Sequence, residues 1–534
     1  MSRRRTKDLS GAQILEVRVW SSLSRNSCSR VSEVNKNFYH TLNEKFLIHK
    51  NQICIEETSG RQWSYQKLND LAGRFSSFLY SLGILKGSKV MAQLEKSVFS
   101  IALYLACLKS GIIYIPLNTA YTSNEVSYFI KNTEPDLLIL SPDKYTEHEA
   151  LLLNLKETKS ISMGNSSEDN LIRQIIDTDN NPHIVDLEED DIASIIFTSG
   201  TTGLSKGAII SHKNLSSNAI SLNNLWGFTY KDVLLHALPV YHVHGLFVAM
   251  HCAFLSGCKI FFFEKFSPSE IINYLKFSTV MMGVPTFYSR LLSNDQFDKE
   301  VCKNMRVFIS GSAPLTDKVF LEFYERTKHR ILERYGMSET GMITSNPLSG
   351  KRIEGTVGYS LPDVKIRENK ESGIIEVKGP NVFKGYWGME EKTKDEFTED
   401  GFFITGDIGK IDDDGRLTLF GRSSDMIISG GYNIYPKEIE FVIDEIEGIK
   451  ESAVIGCPES DLGEAVVAIL VSDKGIKTIP DDTISEILLK SLANYKCPRK
   501  FIWTKNLPRN AMGKVQKKSL RNEHKNIFGV NNEQ

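Results

Sequence analysis

Residues 90–116 read VMAQLEKSVFSIALYLACLKSGIIYIP. A short apolar run at 90–94, a helix-like segment at 100–108 and a second apolar run at 112–116 give strand, helix, strand at the spacing of a parallel α/β unit. Short apolar runs recur at 137–140, 192–197, 259–263, 280–282 and 307–309. One doubly wound region, or two pseudo-similar halves, absorbs them all. From about residue 350 the texture changes: Gly-rich turns separate short alternating runs at 373–377, 402–404 and 416–420, which predict a small, mostly β subdomain. Gly421-Arg422-Ser423-Ser424-Asp425 is a polar break suited to a hinge. Beyond it, Ile439, Val442, Ile443 and Ile446 recur at helical spacing, 453–455 and 466–471 read as strands, and Thr483 with Glu486 predicts a capping box that opens a helix.

The chain has 534 residues, more than one domain's worth. With 64 Lys and Arg against 66 Asp and Glu, its net charge is −2, which argues against a dedicated nucleic-acid binder and against global disorder. The eight cysteines are scattered, without a C-x-x-C pair, so neither a disulfide framework nor a zinc site is expected and a reducing compartment suits the chain. No apolar run is long enough for a membrane span; residues 101–117 are interrupted by Lys109-Ser110-Gly111. Residues 1–33 differ, with six Arg and one Lys against three acids, and eight Ser. They read as a disordered extension, which leaves the chain cytoplasmic, or as a transit peptide, which directs it to the mitochondrial matrix. Between Tyr495 and Lys525 stand ten Lys or Arg against one Glu, either a solvated basic face or a surface for a phosphate-bearing ligand.

Chemistry is concentrated in Thr198-Ser199-Gly200-Thr201-Thr202-Gly203-Leu204-Ser205-Lys206-Gly207, directly after the predicted strand at 192–197. Glycines that let backbone N–H groups approach, hydroxyl donors and a lysine charge are what a phosphate-cradling loop needs. The spacing is not that of a Walker A loop, because Ser205, Lys206 and Gly207 stand where Gly, Lys and Ser or Thr are required. The bland alternative is a flexible turn.

With this loop the sequence resembles the adenylate-forming superfamily of acyl-CoA synthetases, adenylation domains and luciferases, whose loop has Pro in place of Ser205. Further motifs agree in order: Tyr241-His242-Val243-His244-Gly245, Glu333-Arg334-Tyr335-Gly336-Met337-Ser338-Glu339, Thr405-Gly406-Asp407, Gly421-Arg422 with 430–436, and 508–515. The resemblance covers roughly residues 35 to 530. It implies a large N-terminal domain of two doubly wound subdomains plus a β subdomain, over 34–421, and a small mobile α+β C-terminal domain, over 422–534. It implies ATP and coenzyme A as co-substrates and Mg²⁺ as the metal, held by Glu339. Thr198, Ser199, Gly200, Thr201, Thr202, Gly203 and Lys206 would manage the pyrophosphate. Tyr335 would stack on adenine, walled by Ser312 and Ala313, with Glu333 and Ser338 alongside; Asp407 would hold the ribose, and Arg422 would stand beside it. Lys514 would bridge the attacking carboxylate and the α-phosphate. After adenylation the small domain would turn about Ser424, where relatives carry Asp or Lys, and bring Gly430 and Gly431 to the pantetheine of coenzyme A.

Within the superfamily, 95–98, 116–122, 282–290, 378–387 and 507–516 resemble the malonyl-CoA synthetase subgroup. A second carboxylate in a partly dry pocket needs a fixed cation or several donors. Arg290 is the expected cation, against the alternative of a surface arginine; His242, Val243 and Met337 are expected to shape the acyl pocket. The expected partners are small molecules only, with no nucleic acid and no membrane span. The competing readings are a ligase for methylmalonate, acetate or an aryl acid, and an adenylation module that loads a carrier protein.

Overall fold

A computed structural model describes residues 35–198, 205–472, 479–510 and 513–529, so the leader at 1–33 lies outside the described residues. The opening stretch folds as its pattern demands. Strands Lys89–Gln93 and Ile113–Pro116 pair in parallel, with Val90 opposite Tyr114, and helix Val98–Ser110 connects them. Every residue of that helix is buried, which is why its sequence is apolar on all faces rather than on one stripe. Ser97 and Ser100 cap its start reciprocally, and Gly111, at φ 66°, closes its end in the left-handed region.

These strands belong to a six-stranded sheet in the order Lys159–Ser162, Leu137–Leu140, Lys89–Gln93, Ile113–Pro116, Ile192–Thr198, Lys206–Ser211. All neighbours are parallel except the last two, which form an antiparallel hairpin. The phosphate-loop sequence is therefore the connection within a hairpin, not a strand-to-helix turn as in a P-loop. The hairpin register sets Thr198 opposite Lys206.

The second sheet has thirteen strands. After Gln62–Ser64, antiparallel at one edge, its parallel half runs Ile53–Glu57, Lys259–Phe262, Val233–His236, Val280–Gly283, Val307–Ser310, Leu332–Met337. From Leu332–Met337 the ladder continues antiparallel through Gly341–Ser345, Thr356–Ser360, Leu417–Arg422, Phe403–Ile411, Ile374–Lys378 and Lys365–Glu368. The expected β subdomain is thus hydrogen-bonded onto the second α/β sheet instead of standing apart from it. Leu332–Met337, parallel on one edge and antiparallel on the other, is the strand at which the topology changes.

In the small C-terminal domain, strands Tyr432–Ile434, Ile427–Ser429, Gly463–Ser472 and Ile449–Glu459 follow one another, and Lys500–Thr504 pairs in parallel with Gly463–Ser472. Helices Pro436–Asp444 and Asp481–Ser491 bury Ile439, Ile443, Ile484 and Leu488 in one hydrophobic cluster, while Lys517–His524 buries Leu520 in another. The expected capping box is corrected: the cap is Pro480, three residues earlier, which places Thr483 in the helix's first turn. Pro480 takes the extended conformation of a cap but offers no side-chain acceptor, and Asp481 and Asp482 meet the positive helix end. Among the described residues no helix is long and apolar enough to cross a membrane, and the seven described cysteines are free.

Candidate active site

The carboxyl ends of the parallel strands in the second sheet open into a cavity of about 400 Å³, the position where open α/β sheets hold ligands. Strand Leu332–Met337 brings Glu333, Arg334 and Tyr335 to it, and the turn after Val307–Ser310 brings Ser312 and Ala313. The C-terminal domain closes the other side with Lys437 and Lys514.

One cluster is centred on Asp407. Tyr335 Oη donates to Asp407 Oδ2 at 2.5 Å, and Arg422 Nε lies 2.9 Å from Asp407 Oδ1. Strand pairing sets Asp407 opposite Arg422, so the acid and the base are held by backbone before their side chains meet. Lys514 belongs to the same electrostatic group. Burial, then the nearby Arg422 charge, lowers its pKa, while Asp407 and Asp425 oppose the shift. The turn that carries Lys514 is anchored by its own N–H to Asn510 Oδ1 at 2.9 Å. Gly513, at φ 76°, approaches Thr286 so closely that an added Cβ would lie 3.0 Å from its Oγ1.

A second cluster surrounds Glu339, a carboxylate only 6% exposed. Tyr386 Oη donates to its Oε1 at 3.1 Å and Thr198 Oγ1 at 3.3 Å; burial still raises its pKa. Lys206 Nζ pairs with Glu396 at 3.1 Å and lies 4.6 Å from the centre of the Tyr386 ring. Arg422 acts electrostatically on both Glu339 and Asp407, which makes the two clusters neighbours. Ser199, Gly200, Thr201, Thr202 and Gly203 lie outside the described residues. A lone buried carboxylate beside hydroxyls fits Mg²⁺, which binds through one or two protein carboxylates and completes its shell with phosphates and water. Among the described residues no group of three or more His, Cys, Asp or Glu is arranged to hold a metal by itself.

Arg334 is the unexpected feature. It is 3% exposed and lines the cavity, and neither its Nε nor its Nη2 has a hydrogen-bond partner. Burial disfavours its charge and lowers its pKa. Gly311 makes room for it, since an added Cβ there would stand 2.4 Å from Arg334 Cζ. Beside it, His244 Nδ1 meets Ser312 Oγ at 3.2 Å and its Nε2 is unpartnered. Ser312 itself takes φ 73°, a conformation that costs a non-glycine residue about 1–3 kcal/mol and that concentrates at ligand sites.

Other expected site residues are placed differently. Arg290 is exposed and lines no part of the cavity, which helix Pro285–Leu292 borders through Thr286 and Ser289 instead. One residue beyond Ser289 is about 100° further round the helix, so Arg290 leaves the cavity-facing side. The buried cation that lines this cavity is Arg334. His242, whose pKa burial lowers to about 4, Val243 and Met337 also lie off the cavity wall. Ser338 occupies the turn between strands Leu332–Met337 and Gly341–Ser345. Ser424 is the centre of the short 3-10 turn Ser423–Asp425, and Asp425 is tied to Arg521 at 2.7 Å. Gly430 and Gly431, at φ 57° and 82°, form the tight turn of a hairpin away from the cavity.

The AMP-binding enzyme family matches residues 44–387, and the AMP-binding enzyme C-terminal domain matches 438–514. The chain belongs to the AMP-binding enzyme family. Among curated relatives, "Malonate--CoA ligase" of Arabidopsis thaliana is 33% identical over 89% of this chain and 86% of its own length. "Malonate--CoA ligase ACSF3, mitochondrial" of Mus musculus is 32% identical over 92% of this chain and 88% of its own. Among solved structures, ATP-bound MatB from Rhodopseudomonas palustris superposes with TM-score 0.90 at 46% identity, over 93% of this chain and all of that one. As a member of this family the chain has the mixed α/β architecture of a large N-terminal and a small C-terminal domain. Arg334 was overlooked because a basic residue inside a short motif has no periodicity of its own. The available signal is its place in a strand two residues after apolar Leu332, on the same face, where an arginine is either paired or awaiting an anion.

Proposed function

We propose that this AMP-binding enzyme joins malonate to coenzyme A at the expense of ATP, forming malonyl-CoA, AMP and pyrophosphate. The observation that carries the choice of acid is the buried, unpartnered guanidinium of Arg334 in the cavity that also holds Lys514. A monocarboxylate would leave that charge uncompensated; the second carboxylate of malonate satisfies it through charge-assisted hydrogen bonds. Arg290, on the outer side of the neighbouring helix, is a second cation at hand from solvent. The named substrates of the relatives point the same way.

The residues divide the work. Tyr335, Ser312 and Ala313 enclose the base, and Asp407 accepts from the ribose hydroxyls. A carboxylate oxygen of malonate attacks the α-phosphorus and the bond to pyrophosphate breaks. Lys514 holds the attacking and α-phosphate oxygens together, and Lys206 with the 198–203 loop takes the charge of the leaving group. Glu339 would hold Mg²⁺, which supplies charge neutralisation to the phosphates when bound. In the second step the thiol sulfur of coenzyme A bonds to the acyl carbon, its proton is lost, and AMP departs. For this step the part from about residue 422 would turn about Ser424, withdrawing Lys514 and presenting Gly430 and Gly431 to the pantetheine arm. The free cysteines suit a reducing compartment, the cytoplasm or, if the leader is a transit peptide, the mitochondrial matrix.

The test is a panel of malonate, methylmalonate, acetate, propionate and benzoate with ATP and coenzyme A, scored by pyrophosphate release and thioester formation. Malonate should give the highest kcat/KM. Equal turnover of acetate or benzoate would refute the choice of acid, and no acid-dependent pyrophosphate release with any of them would refute the reaction class.

A further inference from the structure

Two groups in the cavity wall hold polar atoms that nothing in the protein engages. Glu333 is 6% exposed and its Oε1 accepts no hydrogen bond. Lys437 comes from the C-terminal domain, and its ammonium makes neither a hydrogen bond nor an ion pair among the described residues. Its nearest aromatic contact is the Phe441 ring, with the centre 4.7 Å away.

The acids beside Lys437 are committed elsewhere. Glu440 Oε1 accepts from Lys517 Nζ at 2.6 Å and from the Val454 N–H at 2.8 Å, while Asp444 Oδ1 accepts from Ser452 Oγ at 2.7 Å. Lys437 is also the second residue of helix Pro436–Asp444, where a positive charge opposes the helix dipole. Burial lowers its pKa, so its position is unfavourable by itself.

Its place identifies a ligand. Glu333, Lys437, Asp407 and Lys514 all line the one cavity. Along strand Leu332–Met337 the cavity wall has a Glu333 end and a Tyr335–Asp407 end, and Lys437 and Lys514 line it from the C-terminal domain. Glu333 lies two residues before Tyr335 on the same strand face, and Tyr335 bonds Asp407. If the ribose lies at Asp407, the base reaches the Glu333 end.

We propose that Lys437 is a second base-reading residue: Glu333 accepts from the exocyclic N6 amino group of adenine, and Lys437 donates to the adjacent ring nitrogen, N1 or N7. The inference rests on the nucleotide site assigned above. A carboxyl oxygen accepts in either protonation state, so the pairing does not depend on the charge of Glu333. Adenine presents a donor flanked by acceptors, whereas guanine would set its O6 acceptor against the Glu333 oxygen. The base is thereby gripped from both domains, and the same contact that recognises ATP holds in place the domain that carries Lys514.

The experiment measures kcat/KM with malonate for ATP, 1-deaza-ATP and 7-deaza-ATP, in the wild type, Lys437→Met and Lys437→Arg. Lys437→Met should lose roughly ten- to a hundredfold with ATP, the worth of a hydrogen bond from a charged donor. With one of the two deaza nucleotides it should match the wild type, because the acceptor is already gone, and Lys437→Arg should recover much of the loss. AMP binding measured by calorimetry should weaken by a similar factor in Lys437→Met. Equal losses with all three nucleotides, or no loss with ATP, would overturn the proposal. A wild-type enzyme inactive with ATP and every acid in the panel would overturn the underlying function instead.

Discussion

Replacing Arg334 with Met should make the protein more stable and nearly useless for malonate. Arg334 is 3% exposed, and two of its guanidinium nitrogens lack partners. Each buried unsatisfied donor costs about 1–3 kcal/mol, and exchange of a buried charge for an apolar group of similar length commonly stabilises by about 1–4 kcal/mol. The variant should therefore be more stable to urea by an amount within that range, with a correspondingly higher midpoint. When malonate is bound, Arg334 faces a carboxylate, and removing one member of a buried pair costs about 3–5 kcal/mol. That is roughly a 150- to 5,000-fold loss of kcat/KM. Propionate, which ends in a methyl where malonate has its second carboxylate, should lose little or gain. The assay is pyrophosphate release with both acids, alongside urea unfolding of the unliganded protein. Equal losses for the two acids would show that Arg334 supports the fold or the nucleotide instead. A lower midpoint would show that the guanidinium is satisfied after all.

Three further outcomes follow from the same geometry. Gly311→Ala places a Cβ 2.4 Å from Arg334 Cζ, so it should displace the guanidinium and lower malonate kcat/KM at least about tenfold, at an overpacking cost of about 1–3 kcal/mol. In the Arg334→Met background most of that effect should vanish, and full additivity would disprove the contact. Lys514→Ala should slow adenylate formation by about a hundredfold or more while coenzyme A still reacts with supplied malonyl-AMP at close to the normal rate; equal damage to both steps contradicts the assigned role. Burial raises the pKa of Glu333 from its ordinary 4.5 to about 8, so between these values the folded state binds the extra proton and stability falls as pH rises. Urea midpoints taken from pH 5.5 to 7.5 should decline less steeply in Glu333→Gln, by up to about 1.4 kcal/mol per pH unit, and parallel curves would reject the shift.

Much of this was legible because it is local. The segment at 90–116 carries its own periodicity, cap and terminating glycine, and the structure extends the predicted helix by only two residues at each end. The strand at 403–411 and its partner at 417–422 lie close in sequence, so the pairing of Asp407 with Arg422 follows from a short hairpin. Where a reading depended on how distant segments meet, periodicity was silent. The ladder that joins the parallel sheet to the β extension depends on Leu332–Met337 using both edges, which its composition does not reveal.

Arg290 and Arg334 show the limit most clearly. Arg290 looked placed for an anion because it follows a segment near the acyl pocket, but which side of a short helix faces the cavity is decided by packing, and Thr286 and Ser289 have that side. Arg334 looked incidental between two motif residues, and only the fold shows that Gly311, 23 positions earlier, leaves the space it fills. Lys437 is the same case over a longer distance. Its charge is one of 64 in a chain of net charge −2, and nothing distinguishes it until a residue 104 positions before it is found across the cavity. Motifs mark the groups that any adenylating enzyme needs. The groups that choose an acid, or hold the base from both sides, lie where the empty protein leaves a buried charge without a partner.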